Sequence, residues 1–281
     1  MAYLTRRRFL ASTAAGAAIS FARWPRARAA DDSTPGKYIL GLQSYSLRKF
    51  PVDKAIHHTQ ELGLHTIEFF SGHFALDSSP EQIAAMKAKV TKFGIQALGH
   101  GVNGFTKDHE ANRRIFEFAK KAGIRNLSAD PTEDSFDSLD RLVDEYDIRI
   151  AIHNHGPKAR YNKINDVLDA IKGHDKRIGA CADLGHYIRS DEDPVKAIHL
   201  FEGRLYGVHL KDFDEPKDNA KGVILGKGQL DVVGVFRALN KVRFPADGSL
   251  SIEYEEKPDD PLDDLRQCVA ISREAMKKAA L

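Results

Sequence analysis

Four short segments of this sequence carry side chains that bind metals and move protons. They are His153-Asn154-His155, Asp183-Leu184-Gly185-His186, His209-Leu210-Lys211 and Glu253-Tyr254-Glu255. Two imidazoles, His153 and His209, with two carboxylates, Asp183 and Glu253, suit a divalent cation of intermediate hardness: manganese, zinc, cobalt or iron. Such a cation, holding a carbonyl oxygen and the adjacent hydroxyl, acidifies the carbon-bound proton between them. A nearby carboxylate or imidazole then takes that proton as general base. Taken singly, each residue has an ordinary structural explanation. Glu253 could be a rim ion-pair partner, Asp183 a turn cap, and His209 an internal hydrogen-bonding group.

The elements that must bring these residues together are a run of strand–helix alternations. Strands are expected near 38–44, 65–70, 95–100, 125–129, 148–154, 178–183, 204–210 and 249–255. Helices are expected near 52–62, 80–93, 110–122, 135–146, 164–172, 194–201, 232–242 and 262–279, with a longer insert over 211–229. Gly63, Gly94, Gly123 and Gly173 fall at helix ends, where a left-handed cap favours glycine. Eight such units predict a single-domain (β/α)8 TIM barrel over 37–281. An open dinucleotide-binding sheet is disfavoured, because no G-x-G-x-x-G follows the first strand. Active sites of such barrels lie at the C-terminal mouth. Strand alternation then places Thr66 and Glu68, His153 and His155, Cys181 and Asp183, His209 and Lys211, and Glu253 and Glu255 inward. Four potential ligands share the inward parity on four consecutive strands. The same parity turns Phe69 toward the helices and does not settle His100, in Leu98-Gly99-His100-Gly101.

The N-terminus has a different character. Residues 1–29 contain Arg6-Arg7-Arg8, an Ala/Gly-rich run and Ala27-Arg28-Ala29, the pattern of a twin-arginine export signal cleaved after Ala29. The expected location is periplasmic or otherwise extracytoplasmic, with the twin-arginine machinery as a partner during secretion. The whole chain carries 42 basic and 40 acidic residues, a formal charge of +2. The first 29 residues hold six arginines and no lysine or acid. The remainder is therefore mildly acidic, and nucleic acid loses its electrostatic motive as a partner. Two cysteines exclude a disulfide scaffold and a four-cysteine zinc site. Oligomeric state is left open.

The string Cys181-Ala182-Asp183-Leu184-Gly185-His186 resembles the D-x-G-H strand end of the sugar phosphate isomerase/epimerase family, in the xylose isomerase-like TIM barrel superfamily. Val208-His209-Leu210-Lys211-Asp212 resembles its H-x-K-D strand, 226–231 its G-x-G-x-x-D segment, and Leu250–Glu255 its last strand. The resemblance implies one bound divalent metal, most often manganese, with Asp183, His209 and Glu253 among the ligands. The family's fifth-strand glutamate is replaced here, so that either His153 or His155 takes its place. Glu253 is implied as both ligand and base, with Glu68 or His155 on the opposite face and Lys211 stabilising an enediolate. His186, His100, Gln43 and Tyr45 are implied as substrate contacts, with Phe70 and Phe74 in a sugar-stacking wall. Isomerisation, epimerisation and β-elimination all begin from that one proton transfer. An exported enzyme would meet a free sugar, keto-sugar, glycoside or cyclitol rather than a sugar phosphate. The competing readings are a three-metal endonuclease, disfavoured by charge and export, and a non-catalytic sugar-binding barrel.

Overall fold

The computed structural model describes residues 38–280, so the export signal expected over 1–29 lies outside the described residues. Ten strands are β1 (Leu40–Gln43), β2 (Thr66–Phe69), β3 (Gln96–Phe105), β4 (Asn126–Pro131), β5 (Arg149–His153), β6 (Ile178–Asp183), β7 (Leu205–Leu210), β8 (Asp212–Phe213), β9 (Gly222–Val223) and β10 (Ser249–Ile252). Eight of them close into a parallel barrel in the order β1-β10-β7-β6-β5-β4-β3-β2. The helices are α1 (Val52–Glu61), α2 (Pro80–Lys92), α3 (His109–Ala122), α4 (Phe136–Tyr146), α5 (Ile164–Ile171), α6 (Leu184–Arg189), α7 (Pro194–Leu200), α8 (Val232–Lys241) and α9 (Leu262–Ala279). The expected single-domain TIM barrel is the observed fold.

Local chemistry explains many boundaries. Ser79 and Gln82 form a capping box at α2, with Pro80 at its first turn. Asp108 and Asp231 accept backbone N–H groups at the starts of α3 and α8. The four helix-end glycines all have positive φ, from 66° to 84°. Outward residues such as Ile150, Ile152, Val208, Leu210, Leu250 and Ile252 are fully or almost fully buried beneath the helices. Inside the barrel, Ala151, Cys181 and Tyr206 form a small apolar cluster.

Three features depart from expectation. First, β3 runs on to Phe105, and its pairing with β4 shifts register between His100 and Asn103. A bulge resets which face each residue occupies. Second, the last strand stops at Ile252, so Glu253 and Glu255 stand on the segment leaving the barrel. Third, the 211–229 insert contains the β8–β9 hairpin, and α6 starts directly after Asp183. Both new elements stand above the barrel mouth.

Candidate metal centre

The parallel register aligns the strand ends. His153 pairs with Cys181, Asp183 with His209, and His209 with Ser251. One donor atom from each of His153, Asp183, His209 and Glu253 lies within 4.8 Å of the others, and all four residues are buried. His153 Nε2 is 3.0 Å from His209 Nδ1 and 3.6 Å from Asp183 Oδ2. His209 Nδ1 is 3.0 Å from Glu253 Oε2 and 3.8 Å from Asp183 Oδ2. Donor atoms about 2.0–2.2 Å from one cation stand at such separations from each other. Asp183 Oδ2 and Glu253 Oε2 are buried without a hydrogen-bond partner of good geometry. Buried carboxylate oxygens seldom go unpaired, so the donor set fits a divalent cation.

Asp183 caps α6 with one carboxylate oxygen and turns the other toward the donor group. Its Oδ1 accepts from His186 N at 2.8 Å, capping α6, while Oδ2 is left for the ligand cluster. Asn154 fixes its backbone from the other side: Asp183 N donates to Asn154 Oδ1 at 2.8 Å, and Asn154 Nδ2 donates to Asp183 O at 3.0 Å. Sequence parity assigned Asn154 to the helix side and gave no hint of this role, because the alternation fails where the strand ends. Gly185 is the motif glycine. A Cβ there would stand 2.6 Å from Lys211 Cγ and 2.9 Å from the Phe213 ring. Its absence lets both residues pass over the start of α6.

Glu68 requires a correction. It points inward as expected but is fully buried one layer below the mouth, not on the substrate side. It accepts from Ser128 Oγ at 2.6 Å, Ser251 Oγ at 3.2 Å and His209 Nε2 at 3.1 Å. Glu68 is therefore placed to orient His209 by accepting from one ring nitrogen while the other faces the ligand cluster. Glu68→Gln is expected to weaken metal binding about 10–100-fold, the usual cost of losing such a partner. Titration with manganese or zinc checks this. Unchanged affinity would remove Glu68 from the metal's support.

Electrostatics binds the cluster together. Burial alone would raise the Asp183 carboxyl, but His186, Lys211 and the two histidine hydrogen bonds hold it well below its ordinary range. Glu253 is likewise lowered against its burial, by Lys211 and His209. Burial opposes the imidazolium of His209, yet Glu68, Glu253 and Asp183 raise it well above its usual value. His155 is pushed down to about 4, and His186 to about 3, mainly by burial. Both are neutral imidazoles near pH 7. Their rings are 5.8 Å apart, and His155 is 4.6 Å from the His153 ring. Lys211 Nζ is 3.1 Å from Asp183, 3.0 Å from Glu253 and 2.6 Å from Glu255. A cavity beside this group is lined by His186, Arg189, Lys211, Phe213, Glu253 and Glu255, among others.

His100 and Phe74 lie elsewhere. His100 points away from the mouth: its ring nitrogens meet Phe74 O at 2.8 Å and Asn103 Oδ1 at 3.1 Å, and it packs on Phe118. The β2–β3 register skips Leu98, so His100 pairs with outward-facing Phe69. Phe74 packs on Phe69 and Phe118 in the strand–helix layer rather than in a sugar wall. Gln43 is buried, and its Oε1 accepts from Tyr45 N. Tyr45 stands on the short 3-10 turn after β1, 37% exposed, edge-on to Phe70 and beneath Arg48. A second grouping, His57, His58 and Glu61, lies on α1, where the Glu61 carboxylate already meets His58 Nδ1 at 2.7 Å.

Asp212, the last residue of the H-x-K-D string, has a structural function. Its carboxylate accepts backbone N–H groups from Phe213, Gly226, Gly228, Gln229 and Leu230, at 2.9–3.0 Å. The H-x-K-D and G-x-G-x-x-D strings are thus two halves of one clasp. At Gly228 a Cβ would stand 2.2 Å from Phe213 O, so only glycine lets the segment approach.

Comparison with known proteins accords with this geometry. The pattern of the family described as xylose isomerase-like TIM barrel matches residues 56–275. The chain is 26% identical over 171 residues to a 3-oxo-isoapionate decarboxylase of Pectobacterium atrosepticum, covering 54% of this chain and 60% of that protein. It is 26% identical over 193 residues to an inosose dehydratase of Lacticaseibacillus casei, covering 62% and 60% respectively. The chain thus spans about 60% of the length of these curated relatives. A solved D-psicose 3-epimerase from Clostridium cellulolyticum superposes with a TM-score of 0.69 over 85% of this chain and 99% of that one. At 14% identity, that likeness is one of fold.

Proposed function

Because the chain belongs to the xylose isomerase-like TIM barrel family, we propose that it is a metal-dependent enzyme that abstracts a proton next to a carbonyl of an unphosphorylated sugar or keto-sugar, as an isomerase or epimerase. The observation that carries this reading is the buried His153–Asp183–His209–Glu253 group, in which two carboxylate oxygens lack a hydrogen-bond partner of good geometry. A divalent cation held there supplies Lewis acidity toward a carbonyl oxygen and its neighbouring hydroxyl. Manganese is the metal we assign, with zinc, cobalt and iron as the alternatives.

The chain's own residues do the rest. Glu253 is a carboxylate lining the cavity, and it takes the carbon-bound proton. His186 and the half-buried His155 offer neutral ring nitrogens to sugar hydroxyls. Lys211 places a positive charge where negative charge develops on the substrate oxygens. Returning the proton to the neighbouring carbon gives isomerisation, and returning it to the other face gives epimerisation.

The choice of an unphosphorylated substrate rests on the export signal in the sequence and gains support from the cavity. Both cations lining it, Lys211 and Arg189, are already paired with carboxylates. A phosphate would find no free one among the described lining residues. We assign the protein to the periplasm or another extracytoplasmic compartment on the same sequence ground.

One observation favours elimination as a second reading. Epimerisation between two carboxylates needs one on each face of the substrate. Here Glu68 is below the mouth, and His153 and His155 occupy the end of β5. Glu253 would then take the proton and pass it to the leaving hydroxyl, which departs as water, while neutral His155 donates a hydrogen bond to that hydroxyl. The test is to incubate metal-loaded protein with sugars, 3-keto-glycosides and inososes in deuterated water. Exchange of a carbon-bound hydrogen is expected, with or without loss of water. No exchange with any of them would sink the enzymatic reading in favour of a binding barrel.

A further inference from the structure

Lys211 brings an ammonium group against both carboxylates of the donor cluster. Its ammonium is 3.1 Å from Asp183 Oδ2 and 3.0 Å from Glu253 Oε2, the same two oxygens that face the ligand cluster. Its side chain is 5% exposed, so the charge is held inside the protein. A third carboxylate, Glu255, takes the same ammonium at 2.6 Å and is 39% exposed at the rim. Arg48 donates to the Glu255 backbone oxygen at 2.7 Å, which fixes the segment that carries it.

Two cations sharing two oxygens repel each other strongly in a dry site. Resting on the metal-dependent reading above, we propose that Lys211 is a tethered competitor of the metal and that Glu255 is the positioning residue that draws it aside. In the metal-free protein the ammonium neutralises Asp183 and Glu253, which would otherwise be buried charges without a partner. When the site is filled, Lys211 keeps its contact with Glu255 and gives up the other two. It then stays beside the cavity, close to the substrate oxygens. Glu255 thus tunes metal affinity without touching the metal.

The experiment measures affinity for manganese and for zinc, by calorimetry or chelator competition, in four proteins: wild type, Lys211→Met, Glu255→Gln and the double variant. Melting temperature is read with and without metal. Lys211→Met is expected to bind metal at least tenfold more tightly, to melt lower without metal and to gain more on metal addition. Glu255→Gln is expected to bind about tenfold more weakly, because the ammonium settles fully on Asp183 and Glu253. The double variant is expected to match Lys211→Met, since Glu255 acts only through the lysine. Equal weakening by Glu255→Gln in both backgrounds would overturn the proposal, as would unchanged or weaker binding by Lys211→Met. If neither the wild type nor any variant bound metal while all melted cooperatively, the metalloenzyme reading itself would fall, and this inference with it. Glu255 is at the rim, so its variant gives an answer even if Lys211→Met folds poorly.

Discussion

Replacing Glu253 by glutamine is expected to abolish solvent exchange of the substrate's carbon-bound hydrogen, by about 10³-fold or more, and to deplete bound metal. The substitution preserves volume and removes only charge. General bases contribute roughly 10²–10⁴-fold, and here the lost carboxylate also belongs to the proposed metal-binding group. Glu253 Oε2 is 3.0 Å from His209 Nδ1 and 3.0 Å from Lys211 Nζ, so the charge serves two neighbours. Metal content of purified protein, read with single-turnover exchange, separates the roles. A variant that keeps its metal but no longer exchanges identifies Glu253 as base alone. Unchanged metal content and unchanged exchange would place the chemistry on another residue.

Asp212→Ala is expected to cause the largest loss of stability, though Asp212 is not among the ligands. Five backbone N–H groups converge on its two oxygens. Hydrogen bonds to a charged acceptor each contribute about 1.5–3 kcal/mol, and the donors left behind are partly or wholly buried. Because such losses do not add, the expected cost is about 3–5 kcal/mol, the large end for one substitution. For a domain of this size that lowers the melting temperature on the order of 10 °C. Asp212→Asn keeps one acceptor oxygen and should lose about half as much. A melting temperature within about 2 °C of wild type for the alanine variant would show that the clasp is dispensable.

The buried donor group at the mouth was legible in the sequence for a definite reason. In a parallel barrel every strand ends at the same mouth, and side chains alternate with a period of two. Once eight strand–helix units are recognised, parity and strand end suffice for His153, Asp183 and His209. Glu253 follows by the same rule, although its strand stops one residue earlier. The reading failed where alternation or depth failed. His100 follows a register shift in the β2–β3 pairing that skips Leu98, so it pairs with outward-facing Phe69. Glu68 has the correct parity and the wrong height. Parity states which face a residue occupies, whereas height depends on the stagger of neighbouring strands around the barrel. That stagger sets Glu68 level with Ser251, below Glu253.

The sequence alone therefore determined the barrel, its mouth and the donor types assembled there. All three follow from local periodicity and residue chemistry. Tertiary structure decided which polar groups share a partner. It put Glu68 behind His209, Asp212 beneath the 226–230 loop, and Lys211 between Asp183, Glu253 and Glu255. Each of these contacts joins residues on different strands or loops across the barrel. Its distance is set by closure and stagger, which no local pattern of residues records.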